Sequence, residues 1–406
     1  MTFLTSKHSP TRWVTIRETV PDLSLIVHGQ GIICFTHNTT DMPCIIYLYD
    51  KAGVHGLKVE FTQKHVLVFQ LPNLTPLLDT RNRGGLVTNP DATYWFSLDS
   101  QNQALYAGIG EARMETYIYA YKFPRNDKDF FEKNKTFLES ILTVRIADKA
   151  TAPFRLIRDP ITRTVPLLIK DTDELTMADI AGTTILPSAS LSTMGQKLYR
   201  CISGRRFQLD DRDFPEFSKA IEYSIATPGC WCNTTLKNKA TEFNKDKPNL
   251  AETYLRITLG QNNGESPGIP YVMEIWPAGH YSPVHNHGGS DAVIRVLHGS
   301  IQVSLFPFLS ATEEPFAVTN FKEGDVTWIS PTLNQIHQLK NVEKKTCVTI
   351  QCYMYEAEDI THYDYFDYID DTGKIDPYEP DSDMDFVAFK ALMKQEWVAR
   401  PRGLWF

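Results

Sequence analysis

The chain has 406 residues, 42% of them apolar and 22% charged, with a formal net charge of −8. That length allows two or three domains, and the acidic balance argues against nucleic acid, whose phosphates want a basic face. No apolar run approaches the ~20 residues of a membrane span, and the opening MTFLTSKHSPTRW lacks the basic-then-apolar layout of a secretory leader. The seven cysteines (Cys34, Cys44, Cys201, Cys230, Cys232, Cys347 and Cys352) form no spaced framework. They read as reduced thiols, and the expectation is a cytoplasmic protein without membrane contact.

Residues 1–125 read as a β-sandwich-like domain. The runs IICF, CIIYLYD, LKVEF, HVLVFQL, TYWFSL and TYIYAYKF are β-branched and aromatic, with Gly, Pro, Asn and Asp between them. Short strands at regular spacing favour two packed sheets. The stretch YWFSLDSQNQALYAGIGEARMETYIYAY is loosely similar to a module named for farnesoic acid O-methyltransferase, and no activity is assigned from it. Gly108-x-Gly110 lacks the third glycine and the strand-to-helix setting of a nucleotide fingerprint, so it reads as a turn. Residues 126–186 are expected to be a linker with one helix, over 127–142, broken afterwards by Pro153, Pro160 and Pro166.

The third region, 187–406, opens with two expected helices. One runs over 191–202. The other starts at Asp213, with Glu216 three residues on and Phe214, Phe217, Ile221 and Ile225 on one stripe. Strands follow: VIRVL, IQVSLF, DVTWI and CVTIQCYMY alternate as half-buried strands do. The acidic, aromatic stretch after Tyr355 reads as a solvated loop, with covering of a barrel mouth as the alternative. A last amphipathic helix is expected over 385–398, stopped by Pro401.

Within this region His285 and His287 alternate, so on a strand both imidazoles face one side. His337 follows a turn at Ser330–Asn334 and is the candidate third ligand. Three neutral nitrogens leave open positions on a metal, as a catalytic site needs. His280 and His298 suit turns and are read as non-ligands.

The two segments together resemble the paired motifs of the cupin superfamily, small jelly-roll barrels. The first has Gly279, His285, His287 and Gly299; the second has Gly324, Pro331, His337 and Asn341. The usual glutamate ligand of the first motif is replaced by Ala292, and Asp291 is one step away, on the opposite face of a strand. A site of three His and no carboxylate is similar to the thiol dioxygenases, cysteine dioxygenase above all. Tyr254-Leu255-Arg256 matches the family's substrate-carboxylate motif, Trp276 lies nine residues before His285, and Tyr353 fits the active-site tyrosine. The resemblance covers roughly residues 192–363.

It implies a mainly β fold, with a cupin barrel and flanking helices behind the N-terminal sandwich. It also implies Fe(II) on His285, His287 and His337, a carboxylated small-molecule thiol and O2 as substrates, Arg256 and Tyr254 as substrate-binding residues, and Tyr353 as catalytic. Two departures stand out. The thioether crosslink of animal relatives needs a cysteine where this chain has Ala292, and the family's Ser-x-His-x-Tyr reads Thr349-x-Gln351-x-Tyr353 here. Gln can hydrogen-bond a tyrosine hydroxyl but cannot carry a proton as His can. The alternatives are a cupin oxygenase with a non-thiol substrate, and a non-enzymatic cupin that binds or senses a ligand, its N-terminal domain serving an unidentified partner.

Overall fold

The computed structural model describes residues 13–16, 22–36, 43–81, 83, 92–124, 128–147, 154–161, 167–182, 184–244, 247–259, 271–330, 336–354 and 366–401. The chain divides into two compact units, 1–165 and 166–406. Among the described residues no helix is long and apolar enough to cross a membrane.

The first unit is a sandwich of two six-stranded sheets. One runs Trp13–Ile16, Phe154–Ile157, Gln30–Thr36, Thr93–Asp99, Ala104–Ile109, Tyr117–Lys122; the other runs Leu23–Ser24, Thr143–Ala147, Cys44–Tyr49, Gly56–Phe61, Val66–Leu71, Thr75–Asp79. Each expected strand run forms one of these strands. Aromatic rings join the sheets: Phe61 of one meets Phe35 and Tyr94 of the other edge-on, at 5.1 and 6.3 Å.

The expected linker over 126–186 is not what forms. Thr143–Ala147 inserts between two strands of the second sheet, and Phe154–Ile157 inserts between two of the first. Pro160 follows the strand Phe154–Ile157 rather than interrupting it, while Pro153 and Pro166 lie outside the described residues. Helix Lys128–Ser140 buries Leu138, but Phe130, an expected apolar-face position, is more than half exposed. Residues 166 onward belong to the second unit, where Leu168–Lys170 and Ile185–Pro187 pair in parallel.

The second unit is a barrel of jelly-roll type. Its larger sheet runs Val326–Ile329, Asp291–His298, Cys347–Met354, Tyr271–Trp276, Leu255–Leu259, Met384–Asp385; the smaller runs Ala317–Lys322, Ser300–Leu305, His337–Lys340. A core cluster drawn from both sheets fills the space between them, with Trp276, Val296 and Cys347 from one and Ile301, Val303, Phe321 and Leu339 from the other. Gly299, at the tight turn between two of these strands, has φ +73°, and a Cβ there would lie 2.6 Å from the Thr346 carbonyl oxygen. Only glycine fits both constraints.

Strand alternation decides what faces inward. On the larger sheet Leu255, Ile257, Met273, Ile275 and Val348 point outward, into a cluster with Phe217, Ile221, Cys232, Phe389 and Met393. These come from helices Phe217–Ala226, Trp231–Asn238 and Phe386–Ala399. The intervening positions Arg256, Glu274, Trp276, Gln351 and Tyr353 line a cavity inside the barrel. Helix Thr193–Ile202 is capped by Ser192, and Phe386–Ala399 by Asp385, whose carboxylate accepts from the Val387 and Ala388 amides at 3.0 and 3.1 Å. The helix expected from Asp213 starts four residues later, because Asp211 holds the Asp213 and Phe214 amides in a turn. Trp231–Asn238 was not expected from the sequence.

The acidic stretch is a solvated loop only in part. Phe366–Ile369 and Ile375–Tyr378 form a hairpin, with Phe366 and Tyr368 buried and Tyr368 bridged to His285. On its first strand Phe366 and Tyr368 take one face and Asp367 the other, so acidity and burial coexist. Residues 355–365, and residues 331–334 of the expected turn, lie outside the described residues.

Candidate metal centre

His285 and His337 exchange backbone hydrogen bonds, each amide donating to the other's carbonyl at 3.0 Å. The chain before His285 runs antiparallel along the His337 strand: Ser282 N donates to Leu339 O, and Asn341 N to His280 O. His285 and His287 therefore sit on an extended segment held by isolated bridges, not on the regular strand expected. The i, i+2 relation still turns both rings to the same side. Asn341 secures the arrangement from behind, its amide donating to the Trp276 and Lys345 carbonyls at 2.8 Å each.

The three imidazoles converge, their ligand-capable nitrogens all within 4.8 Å of one another. His285 Nδ1 lies 3.0 Å from the Pro283 carbonyl oxygen. A carbonyl only accepts, so Nδ1 carries the proton and Nε2 keeps its lone pair. His287 Nε2 and His337 Nε2 are 2.9 Å apart. Two nitrogens bound at about 2.1 Å and at right angles on one ion would be about 3.0 Å apart, so the spacing fits a shared metal. His287 is packed between the Tyr353 ring, stacked at 5.8 Å, and the Phe366 ring at 4.9 Å. Burial holds all three neutral: it pulls His285 down to about 4, and burial followed by repulsion from neighbouring rings pushes His287 and His337 well below the ordinary histidine value. Neutral imidazole is the form that binds a metal.

No carboxylate joins them. Ala292 is buried and pairs directly across the strands with Tyr353. Asp291 falls on the other side of the strand and outside the converging group, its carboxyl raised to about 6 by burial. His280 is occupied elsewhere, its Nδ1 2.8 Å from the Thr253 carbonyl. His298 faces Glu222 and Glu323.

The expected substrate-side residues are brought to the same place. Tyr254, Arg256, Trp276, Tyr353 and the three histidines line one cavity, and Phe366, Tyr368 and Tyr378 line it with them. Tyr254 and Trp276 stack at 4.3 Å, forming a flat wall. Tyr353 donates its hydroxyl proton to Gln351 Oε1 at 2.7 Å.

One residue of the site was not found from the sequence. Glu274 stands directly opposite Arg256 across the two strands, and Arg256 Nη1 donates to its Oε1 at 2.9 Å. Both are buried. Burial pushes the Glu274 carboxyl up, while Arg256 and a hydrogen bond from Gln351 oppose that. Burial, the largest influence, disfavours the guanidinium, but Glu274 together with Tyr254, Tyr378 and Tyr353 raises Arg256 on balance. A proton on Glu274 would leave a buried guanidinium without a counterion, so the pair stands ionised. The signal available in YVMEIW was a lone acid at an inward position of an otherwise apolar strand.

No family model matches the chain. Solved structures similar to part of it include the cupin domain of Cnp3 from Schizosaccharomyces pombe, 16% identical with a TM-score of 0.21, covering 25% of this chain and 65% of that one. Another is the cupin domain of an XRE-family transcriptional regulator from Enterobacter cloacae, 12% identical with a TM-score of 0.21, covering 25% and 97%. A third is oxalate oxidase in complex with the substrate analogue glycolate, 18% identical with a TM-score of 0.21, covering 27% of this chain and only 53% of that one. Each likeness is confined to about a quarter of the chain, and the barrel is assigned from its own strand order.

Proposed function

We propose that the second unit is a non-haem iron dioxygenase that converts a small carboxylated thiol, such as cysteine, to its sulfinic acid. Both atoms of O2 enter the product, RSH + O2 → RSO2H, with sulfur oxidised and dioxygen reduced. The observation that carries the reading is the convergence of three neutral imidazoles, His287 and His337 buried and His285 half-buried, without a carboxylate, on a cavity that also holds Arg256.

An Fe(II) ion held by His285, His287 and His337 would supply open positions for a thiolate and for dioxygen, and the redox chemistry between them. The chain's own residues do the rest. Tyr254 and Trp276 form the wall against which a small substrate lies. Arg256 offers a fixed charge and a planar fork for the substrate's polar end. Tyr353, with its proton committed to Gln351, turns an accepting oxygen to groups in the cavity. The aromatic hairpin Phe366–Tyr378 keeps water from the reacting groups. The sandwich has no catalytic part in this reading and serves an unidentified partner.

The test is oxygen uptake by iron-loaded protein with cysteine, cysteamine and 3-mercaptopropionate, with sulfinic acid identified by mass spectrometry. Arg256→Ala is expected to lower kcat/KM for cysteine by about tenfold to a hundredfold. No uptake with any of the three thiols moves the reading to another oxygenase or to a ligand-binding barrel.

A further inference from the structure

Arg256 and Glu274 face each other inside the cavity, 2.9 Å apart. With the histidines neutral, they are the two formal charges among the described residues that line it. The substrate anchor is thus electrically neutral as built. Yet the pair does not close on itself. Arg256 Nε is buried without a partner, and the Glu274 carboxylate, which can accept about four hydrogen bonds, takes one from Arg256 and one from Gln351. A buried guanidinium with an unused donor, lining a cavity, is a group kept for a ligand.

A lone carboxylate placed on Arg256 would share that guanidinium with Glu274. Two like charges would then crowd one cation in a site shielded from water, which is unfavourable. A lone ammonium placed on Glu274 would meet the reverse problem at Arg256. A ligand bearing both charges on neighbouring atoms sets each against its opposite, so charges alternate and none is left uncompensated. The geometry points to a zwitterionic head group, ammonium and carboxylate together as in an α-amino acid, as what the Arg256–Glu274 pair selects over a carboxylate or an ammonium alone. Glu274 is thereby a specificity-determining residue. The inference rests on the thiol reading for the far end of the ligand and replaces its simplest form, in which arginine alone reads a carboxylate.

The test measures binding rather than turnover. Zinc-loaded protein is titrated without oxygen with L-cysteine, 3-mercaptopropionate and cysteamine, which share a thiol and differ only in head group. Wild type is expected to bind L-cysteine about tenfold or more tightly than either one-charge thiol. Glu274→Gln frees Arg256, so 3-mercaptopropionate should gain about tenfold relative to L-cysteine. Because a single change leaves a buried charge and endangers folding, Arg256→Met/Glu274→Met is the second variant. It removes both charges at similar volume, should keep metal content and melting temperature, and should bind the three thiols alike. Equal binding of L-cysteine and 3-mercaptopropionate by wild type overturns the proposal, as does an intact preference for L-cysteine in the double variant. A zwitterion preference on zinc with no oxygen uptake on iron would leave this inference standing and remove the dioxygenase. No binding of any thiol would remove both.

Discussion

The two units are built from the same part, a pair of β-sheets closed on an inner layer, and differ in what that layer contains. In the sandwich Phe35, Phe61 and Tyr94 meet ring to ring, so the inner positions are spent on packing. In the barrel the inner layer is shared: beside the apolar cluster of Trp276, Val296, Ile301 and Leu339 it carries Arg256, Glu274, Gln351, Tyr353 and two buried ligand histidines, and a second apolar layer lies outside the larger sheet, under the helices. Helices Phe217–Ala226, Trp231–Asn238 and Phe386–Ala399 supply that outer layer. A polar inner face is costly without partners, so its presence marks where a ligand or metal belongs.

The comparison breaks most sharply at the histidines. His285→Ala, His287→Ala or His337→Ala should each remove most of the bound metal, because three ligands leave no redundancy; metal analysis of purified protein checks this. Retained iron in His337→Ala would mean that the third ligand is assigned wrongly.

Next in size is the buried pair. Arg256→Ala or Glu274→Ala should each destabilise the barrel by about 3–5 kcal/mol, since each strands a charge. Phe61→Ala in the sandwich should cost a similar amount, about 3–5 kcal/mol, through a cavity. Denaturant unfolding with metal analysis separates them: only the barrel changes should be rescued by replacing the partner residue as well.

A further effect distinguishes the units by pH. As pH falls through 6.5 the unfolded chain takes up the proton of His285, whereas the folded barrel resists until about 4. The unfolded state binds more protons across that window, so stability rises with pH there and is lost as pH falls. His287 and His337, also depressed, add in the same direction. Metal-free protein should lose about 1.4 kcal/mol per pH unit for each such imidazole below 6.5. Melting curves from pH 7 to 5 measure this; a flat profile would mean that the three rings are not enclosed together.

The smallest change is expected at Asp291→Asn. Its side chain lies off the ligand face, so metal content should stay near wild type. A marked loss would bring that carboxylate into the site.

Local pattern carried much of this protein. The strand runs of the sandwich, the helix stripes ending at Ile202 and Val398, and the i, i+2 pair His285 and His287 are periodicities of short segments, legible without a fold. Even the exclusion of Asp291 follows from a one-residue offset. What the chain could not announce depends on segments far apart in sequence. Thr143–Ala147 and Phe154–Ile157 have the composition of strands, but only the open positions in two distant sheets make them sandwich strands instead of linker. The acidic hairpin Phe366–Tyr378 becomes a cavity wall only because Tyr368 finds His285 as a bridge partner. Glu274 in YVMEIW says nothing of its role until strand register sets it opposite Arg256. Register is decided by the packing of whole sheets, so sequence could place each charge on an inward face, and only the tertiary structure could bring the two together.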